Sequence, residues 1–187
     1  KDLADPAAKL TTLVPARKND WRFVGASGDN LYFATNLDAP RYRIVAFDKG
    51  AATPREVVAE GDATITGGSI IGDHLIVETL ADARSVVRRY SLAGVAGVAD
   101  GEVKLPGLGT TSGFDAIPGS STSYYAFTSY NAPTTLYRYD AATNSSTVFA
   151  APKVAFNPDD FVVEQRFFTS KDGTKVPMFI VRKAGSS

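Results

Sequence analysis

The sequence predicts an all-β fold of consecutive four-stranded antiparallel blades, as in a β-propeller. Short runs rich in Val, Ile, Tyr, Phe and Thr alternate in polarity along the 187-residue chain, which is typical of strands. Gly, Asn and Asp separate these runs roughly every eight to twelve residues, and long apolar stripes at helical spacing are missing. One pattern also recurs about every 45 residues, which is the length of a propeller blade.

The repeat is clearest in two stretches that contain a proline. NLYFATNLDAPRYRIVAFD at residues 30–48 aligns with YYAFTSYNAPTTLYRYD at residues 124–140, so that Pro40 corresponds to Pro133. HLIVETLADARSVVRRYSL at residues 74–92 lies between them and repeats the pattern without the proline. Three copies of one blade-length pattern predict three blades.

Each copy extends to four predicted strands, which places the three blades at residues 17–61, 62–107 and 108–151. The first blade contains WRFVGAS, NLYFATN, YRIVAFD and REVVAE; the second contains ATITGGSII, HLIVETL, SVVRRYS and GEVKLP; the third contains SGFDAIP, SYYAFTS, TTLYRYD and STVFAAP.

KLTTLVP at residues 9–15 is predicted to be the outer strand of a preceding blade, to which residues 1–16 are assigned. A propeller avoids free strand edges by closing about four to eight blades into a ring. Three blades and one further strand leave faces between blades uncovered, so the chain is expected to be a piece of a larger propeller.

Two other segments are predicted to be irregular. Residues 93–100 are interpreted as a loop because Gly94 and Gly97 interrupt an Ala-rich stretch. GLGTTSG at residues 107–113 resembles a phosphate-binding loop only superficially, since it lacks the G-x-G-x-x-G spacing and a following helix. We interpret it as a turn between two blades.

The blade repeat ends after the third copy. APKVAFNPDDF contains two prolines, and residues 152–161 are predicted to be a linker. VEQRFFTSKDGTKVPMFIV at residues 163–181 is predicted to form two strands joined by Asp172-Gly173, because Gly accepts a positive φ in a tight turn. This hairpin, assigned to residues 162–187, does not match the repeat.

The hairpin carries a family resemblance. FFTSKDGTKVPMFIVRK at residues 167–183, with DDFVVEQ before it, resembles the segment with which prolyl oligopeptidases leave their propeller and begin their α/β-hydrolase domain. Residues 33–48 and 127–140 resemble the late blades of that propeller. The resemblance implies a seven-bladed propeller, of which this chain holds the last three blades, followed by the first hairpin of the hydrolase domain.

The same resemblance implies a function. Prolyl oligopeptidases are serine peptidases that cleave short peptides after proline, with a Ser/Asp/His triad in a cavity between the two domains. The triad is expected beyond Ser187, so this chain is expected to act as a scaffold and substrate-size filter and to be inactive alone. Its implied partners are the hydrolase domain, the remaining blades of the parent chain and short proline-containing peptides.

The composition argues against several other classes of function. Lys and Arg together number 20, as do Asp and Glu, so no net charge attracts nucleic acid or an anionic membrane. The chain has no cysteine, which removes disulfides, thiolate metal sites and a cysteine nucleophile. No apolar run approaches the roughly 18 residues of a membrane helix, so a soluble protein is expected, with the cytoplasm and the periplasm both open.

No catalytic, cofactor-binding or metal-binding residue is assigned, and no cofactor is expected. Ser27 in GASGD and Ser69 in GGSII both lack the G-x-S-x-G spacing of a nucleophile elbow. His74 is the single histidine. Because no matched nucleophile is apparent near it in the sequence, we interpret it as a residue at the end of a hairpin.

Asp159, Asp160 and Glu164 form the one notable acidic group. A carboxylate pair would suit acid–base chemistry, but beside Pro158 these residues are interpreted as capping and solvating the linker.

Two further features are weaker. The triplet that begins at Asn144 fits a glycosylation sequon, as many short stretches do by chance. The loops TNLDAPR and TSYNAPT are candidates for filtering substrate, because a proline holds each loop in a fixed shape.

Two alternative functions remain open from the sequence. A stand-alone propeller-like module would close by self-association through its blade edges, although the hairpin has no use in a closed propeller. A related oligopeptidase of different specificity, such as one that cuts after basic residues, would share this propeller and differ in a downstream substrate pocket.

Overall fold

The computed structural model describes residues 6–7, 9–16, 18–93 and 97–186. Its strands form three four-stranded antiparallel sheets and one two-stranded hairpin. Sheet 1 contains β1 (Trp21–Ser27), β2 (Asn30–Thr35), β3 (Arg43–Phe47) and β4 (Arg55–Val58). Sheet 2 contains β5 (Thr64–Ile71), β6 (His74–Ala81), β7 (Arg84–Ser91) and β8 (Val98–Glu102). Sheet 3 contains β9 (Gly109–Asp115), β10 (Thr122–Ser129), β11 (Thr135–Asp140) and β12 (Ser145–Ala150). The hairpin consists of β13 (Phe161–Thr169) and β14 (Lys175–Lys183).

Each sheet is a meander, in which the strands lie side by side in chain order. The prediction of consecutive four-stranded antiparallel units is therefore confirmed. The first strands of the sheets form an inner row, with β1 beside β5 and β5 beside β9. Among the described residues, no helix has the length and apolar composition needed to cross a membrane.

The predicted loop at residues 93–100 is wrong over its last three residues, which belong to β8. All residues of β8 are exposed, so no alternating burial marks this strand in the sequence. The strand forms because its backbone pairs with β7, as at Tyr90 and Ala99. It also ends at Glu102, well before the predicted end at residue 106, and residues 94–96 of the predicted loop lie outside the described residues.

Two other predictions need correction. The predicted turn at residues 107–113 is a strand from Gly109 onward, because β9 pairs with β10 along this stretch. The predicted strand at residues 9–15 does not form, since the described residues supply no neighbouring strand for its backbone hydrogen bonds. This segment instead lines a cavity against Leu31 and Phe47 of sheet 1.

Sheet 2 packs against sheet 1 on one face and against sheet 3 on the other. Alternate residues of a strand point to opposite faces of its sheet. On β6, Leu75 and Val77 therefore point toward sheet 1, and Ile76 points toward sheet 3. The first seam, between sheets 1 and 2, is mainly aliphatic and is built from Tyr32, Ala34, Ile44, Ala46, Val57, Ile65, Leu75 and Val77. The second seam, between sheets 2 and 3, is richer in aromatic rings and is built from Ile71, Ile76, Val87, Val103, Phe114, Tyr125, Phe127, Tyr139 and Ala141.

Phe114 is fully buried in the second seam although its backbone conformation is unfavourable. Its φ is +67°, a left-handed conformation that costs an L-residue roughly 1–2 kcal/mol. The ring stacks on Tyr125 with the centroids 4.4 Å apart and meets Tyr139 edge-on at 5.7 Å. Aromatic packing therefore holds the strained backbone in place.

Gly109, the first residue of β9, has no space for a side chain. A Cβ atom there would meet the carbonyl oxygen of Thr128 and would lie 2.8 Å from Cζ of Phe127. Because a backbone carbonyl in a strand cannot move aside, Gly109→Ala is expected to lower the free energy of unfolding by about 1–3 kcal/mol. Chemical denaturation measures this loss.

The matched control is Gly107→Ala, because a Cβ atom at Gly107 meets no atom within 4 Å. This variant should change the free energy of unfolding by less than about 0.5 kcal/mol. Equal losses in the two variants would contradict the close approach of β9 to β10.

The hairpin is attached to one end of sheets 2 and 3. Nε2 of Gln165 donates to the carbonyl oxygen of Asp82 in the β6–β7 connection at 2.6 Å. The ring of Phe179 lies 4.8 Å from the ring of Tyr130 in the β10–β11 connection. We call this end of the sheets the hairpin end, and the other end, with the β1–β2, β5–β6 and β9–β10 connections, the open end.

Candidate functional site

The inner row of strands borders a cavity of about 540 Å³ at the open end. All three sheets contribute to its wall, through β1, β5, the end of β9 and the turns that follow these strands. The lining residues include Ser27, Ser69, Asp73, Asp115 and Pro118. The cavity and the hairpin therefore lie at opposite ends of the sheets.

Each inner strand carries a β-bulge, one extra residue relative to its paired strand. The extra residues are Val24 in β1, Thr66 in β5 and Phe114 in β9, and each of them stands next to a glycine. A bulge bends its strand and increases the local twist. The bulged strands thus suit a curved inner row.

One of these glycines also controls how closely two sheets approach each other. A Cβ atom at Gly25 would lie 3.2 Å from Cδ1 of Ile70 on β5, closer than an ordinary contact. The absent side chain at Gly25 thus lets β1 and β5 lie near each other beside the cavity.

Ser27 and Ser69, the two serines singled out in the sequence, both border the cavity. Ser69 is 8 % exposed, and its hydroxyl has no hydrogen-bond partner among the described residues. An activated serine needs a base within hydrogen-bond reach. The structure therefore places both serines in the wall of one cavity. Among the described residues, neither serine forms a hydrogen bond with His74.

His74 begins β6, immediately after the β5–β6 turn, and its Nε2 lies 3.0 Å from Oδ2 of Asp100. Nη2 of Arg89 lies 2.8 Å from the same oxygen. The hydrogen bond from Arg89, together with the positive charge of its guanidinium, lowers the pKa of Asp100. Asp100 therefore belongs to an ion-pair network with the buried guanidinium of Arg89. Among the described residues, the side-chain partner of His74 is this aspartate, and no hydrogen bond joins the His74 side chain to a serine.

Arg89 is the centre of a polar network across the second seam. Its side chain is 6 % exposed, and Nη1 donates to Oη of Tyr139 at 3.2 Å and to the carbonyl oxygen of Ala141 at 3.0 Å. Tyr139 donates in turn to Oδ1 of Asn144 at 3.1 Å, and Nδ2 of Asn144 donates to the carbonyl oxygen of Glu102 at 3.1 Å. Hydrogen bonds thus run from sheet 2 to sheet 3 and back.

Asn144, the first residue of the sequon, belongs to this network. Both amide atoms of Asn144 are engaged, and the residue adopts a φ of +50° in the β11–β12 turn, a conformation that asparagine tolerates better than most residues. The described structure therefore uses this amide to join two sheets.

The three acidic residues near the linker do not form a carboxylate pair. Asp159 and Asp160 lie in a short 3₁₀ turn, Pro158–Asp160, which Asn157 caps by accepting from the Asp159 amide at 3.2 Å. The capping interpretation of the acids is therefore wrong, because Asn157 is the cap and Asp159 and Asp160 only add negative charge to the first turn.

Glu164 is separate from that turn and lies on β13. Its carboxylate accepts from Arg182 at 2.6 Å and from Arg166 at 2.8 Å. The hydrogen bonds from Arg182 and Arg166 lower the pKa of Glu164. Its role in the structure is to link the two strands of the hairpin.

The TSYNAPT loop at the hairpin end contacts the beginning of the hairpin. Nδ2 of Asn131 donates to the carbonyl oxygens of Pro158, at 3.3 Å, and Phe161, at 3.1 Å. Tyr130 of the same loop contacts the ring of Phe179. This loop therefore holds the hairpin on sheet 3.

The TNLDAPR loop also lies at the hairpin end and leads into a strained residue. Tyr42 has a φ of +68° and donates from Oη to Oδ2 of Asp20 at 2.8 Å. The guanidinium of Arg22 lies 4.4 Å above its ring and also contacts Asp20. Hydrogen bonding to Asp20 raises the pKa of Tyr42. The cluster joins the start of β1 to the loop before β3.

No metal site is evident in the part of the chain that the structure describes, where no three His, Asp or Glu side chains come together in a suitable arrangement. The chain contains no cysteine.

Four-stranded meanders joined through an inner row of strands define the chain as part of a β-propeller. The family model "Prolyl oligopeptidase, N-terminal beta-propeller domain" matches residues 1–152. The chain belongs to the prolyl oligopeptidase family.

Relatives and solved structures agree with this assignment. A prolyl endopeptidase of Elizabethkingia meningoseptica is 39 % identical over 164 residues, which cover 84 % of this chain and 22 % of that protein. A dual function macrocyclase-peptidase of Amanita bisporigera is 30 % identical over 192 residues, which cover 97 % of this chain and 26 % of that protein. The chain thus spans about a quarter of the length of these relatives.

Among solved structures, one from a study of two prolyl endopeptidases matches with a TM-score of 0.83 and 40 % identity, over 93 % of this chain and 25 % of that chain. Prolyl oligopeptidase B from Galerina marginata, as apo protein, matches with a TM-score of 0.82 and 27 % identity, over 94 % of this chain and 26 % of that chain.

Proposed function

We propose that this chain is the propeller part of a serine peptidase that cleaves short peptides after proline. In this proposal the three sheets are blades of a seven-bladed propeller, residues 152–161 are the linker, and the hairpin at residues 162–187 is the beginning of an α/β-hydrolase domain. The chain itself supplies a scaffold and a substrate-size filter, and no residue of the catalytic triad.

The observation that carries this proposal is the arrangement of the two ends of the sheets. The hairpin is fixed at one end by Gln165, Tyr130 and Asn131, which favours a following domain at that end. The inner row borders the cavity at the other end. A peptide that enters along the inner row would have to fit the space between the blades before it reached a catalytic domain.

The test compares the isolated chain with the complete polypeptide that carries it. The complete polypeptide should hydrolyse a proline-containing chromogenic peptide, and it should cleave a peptide of about six residues much faster than one of about sixty residues with the same proline site. The isolated chain should hydrolyse neither. Hydrolysis that depends on a residue of the isolated chain would contradict the proposal, as would equal rates for both peptides.

Exposed aromatic residues on the two outer faces favour a second candidate function, a module that closes by self-association. Phe23 on sheet 1 is 62 % exposed and Phe149 on sheet 3 is 61 % exposed. Size-exclusion chromatography with light scattering separates the two candidates. A defined oligomer of the isolated chain at low concentration would favour the module, and a monomer or irregular aggregate would favour the propeller part of a peptidase.

A further inference from the structure

Glu78 is an acidic residue buried in the second seam. It lies on β6, is 7 % exposed, and points from sheet 2 toward sheet 3. Oγ1 of Thr111 on β9 donates to its Oε2 at 3.0 Å. No ion pair involving Glu78 occurs among the residues that the structure describes, so this carboxyl group has a hydroxyl as its partner in place of a cation.

The strands beside Glu78 are arranged around its carboxyl group. On β5, Gly67 leaves the space that the carboxyl group occupies, because a Cβ atom there would lie 2.9 Å from Oε1. Thr66 bonds the Glu78 backbone carbonyl oxygen. On β7, Val87 lies directly opposite.

The charged groups nearby do not compensate a negative charge on Glu78. Arg89 of β7 shares the face toward sheet 3, but its guanidinium is bound to Asp100, Tyr139 and the carbonyl oxygen of Ala141. Asp115 of β9 carries the same sign of charge as an ionised Glu78 and opposes its ionisation. Ionised Glu78 is therefore a buried charge without a counter-ion in this seam.

We propose that Glu78 makes the second seam a pH-sensitive joint, closed when this carboxyl group is protonated and loosened when it is ionised. The neutral acid fits an apolar seam with one hydrogen bond, whereas the carboxylate requires solvent or a cation that the closed seam does not supply. Water reaches the carboxylate when β5 and β9 separate. Both strands border the cavity at the open end, so opening of the joint widens the inner row.

The direction of the pH effect follows from burial. Desolvation raises the pKa of Glu78 above its ordinary value of 4.5, the charge of Asp115 acts in the same direction, and the hydrogen bond from Thr111 opposes them. In the unfolded or opened chain the carboxyl group ionises near 4.5. The contribution of the protonated Glu78 carboxyl group to the stability of the seam is therefore fully present below that pH. It is lost as the pH rises through the higher pKa of the folded form.

Hydrogen–deuterium exchange of the complete polypeptide tests the joint, with rates corrected for intrinsic exchange. As the pH rises from about 5 to about 8, amides of β5 and β9 should lose protection in the unmodified protein, because ionisation of Glu78 then favours the opened form. Glu78→Gln should abolish this loss. Glu102→Gln, which changes a side chain that is 60 % exposed, should leave it unchanged.

A loss of protection of the same size in Glu78→Gln would overturn the proposal, and so would constant protection in the unmodified protein. Thr111→Val is a second variant that does not depend on the folding of the first. It removes the hydroxyl that stabilises the carboxylate, so the loss of amide protection at high pH should become larger. An unchanged loss of protection would again overturn the proposal.

A functional consequence rests on the proposed peptidase activity. If the inner row filters substrate, the ratio of long-peptide to short-peptide cleavage should rise with pH in the unmodified protein and stay constant in Glu78→Gln. Hydrogen exchange requires no hydrolysis, so failure of the peptidase proposal and failure of the joint are distinguishable.

Discussion

Replacing Phe114 with Ala is expected to lower the free energy of unfolding by about 3–5 kcal/mol. The ring is fully buried, and it packs against both Tyr125 and Tyr139, so its removal leaves a cavity in the centre of the second seam. Urea denaturation followed by circular dichroism measures the loss. The effect should appear as a lower midpoint, because removal of one side chain does not change the surface exposed on unfolding by much.

Two further variants separate packing from backbone strain. Alanine at position 114 keeps the unfavourable φ of +67°, whereas Phe114→Gly relieves it and should recover about 1 kcal/mol relative to alanine. In an ordinary strand position, by contrast, a glycine variant is less stable than the corresponding alanine variant. Phe149→Ala is the matched control, since Phe149 is also a bulged phenylalanine of sheet 3 but is 61 % exposed. Equal losses at positions 114 and 149 would contradict the description of the second seam.

Replacing Arg89 with Met is expected to lower the free energy of unfolding by about 2–4 kcal/mol. Methionine retains the apolar length of the side chain but leaves Tyr139 and the carbonyl oxygen of Ala141 without their donor, in a region that water does not reach. Thermal unfolding of the two proteins measures the difference.

The neighbouring arginine supplies the control. Arg88 has a side chain that is 46 % exposed and pairs with Glu102 at 3.5 Å. Exposed ion pairs of this kind contribute roughly 0–1 kcal/mol, so Arg88→Met should change the free energy of unfolding by no more than that. If Arg89→Met is as mild as Arg88→Met, the network across the second seam does not stabilise the fold.

The blade pattern was predictable because most strands of sheets 1 and 2 alternate residues between two environments. NLYFAT and HLIVETL are flanked by Gly, Asp or Asn and form β2 and most of β6. The fourth strand of sheet 2 was predicted at residues 101–106 but forms at Val98–Glu102, because all residues of β8 are exposed and only its pairing with β7 defines its position. Gly109 suggested a turn, but it lies in β9, where the absence of a side chain allows β9 to lie close to β10.

The buried polar groups were harder to predict than the strands. Arg88 and Arg89 are adjacent, and alternation on β7 sends one of them inward, but the sequence does not show what would receive a buried guanidinium. Its partners, Asp100 and Tyr139, are 11 and 50 residues away. Glu78 is similar, because its burial depends on a glycine of β5 and a threonine of β9 that only the packing of two sheets brings near.

The bulges of the inner row also bear on how a chain of repeated units avoids exchanging its parts during folding. Tandem repeats of similar sequence are prone to misassembly, in which a strand of one unit takes the place of its counterpart in the next. The extra residue is the fourth of β1, the third of β5 and the sixth of β9. A strand moved to a neighbouring sheet would meet its partner with the side chains beyond the bulge on the wrong face. The position of the bulge thus distinguishes each inner strand from its counterparts and favours pairing within its own sheet.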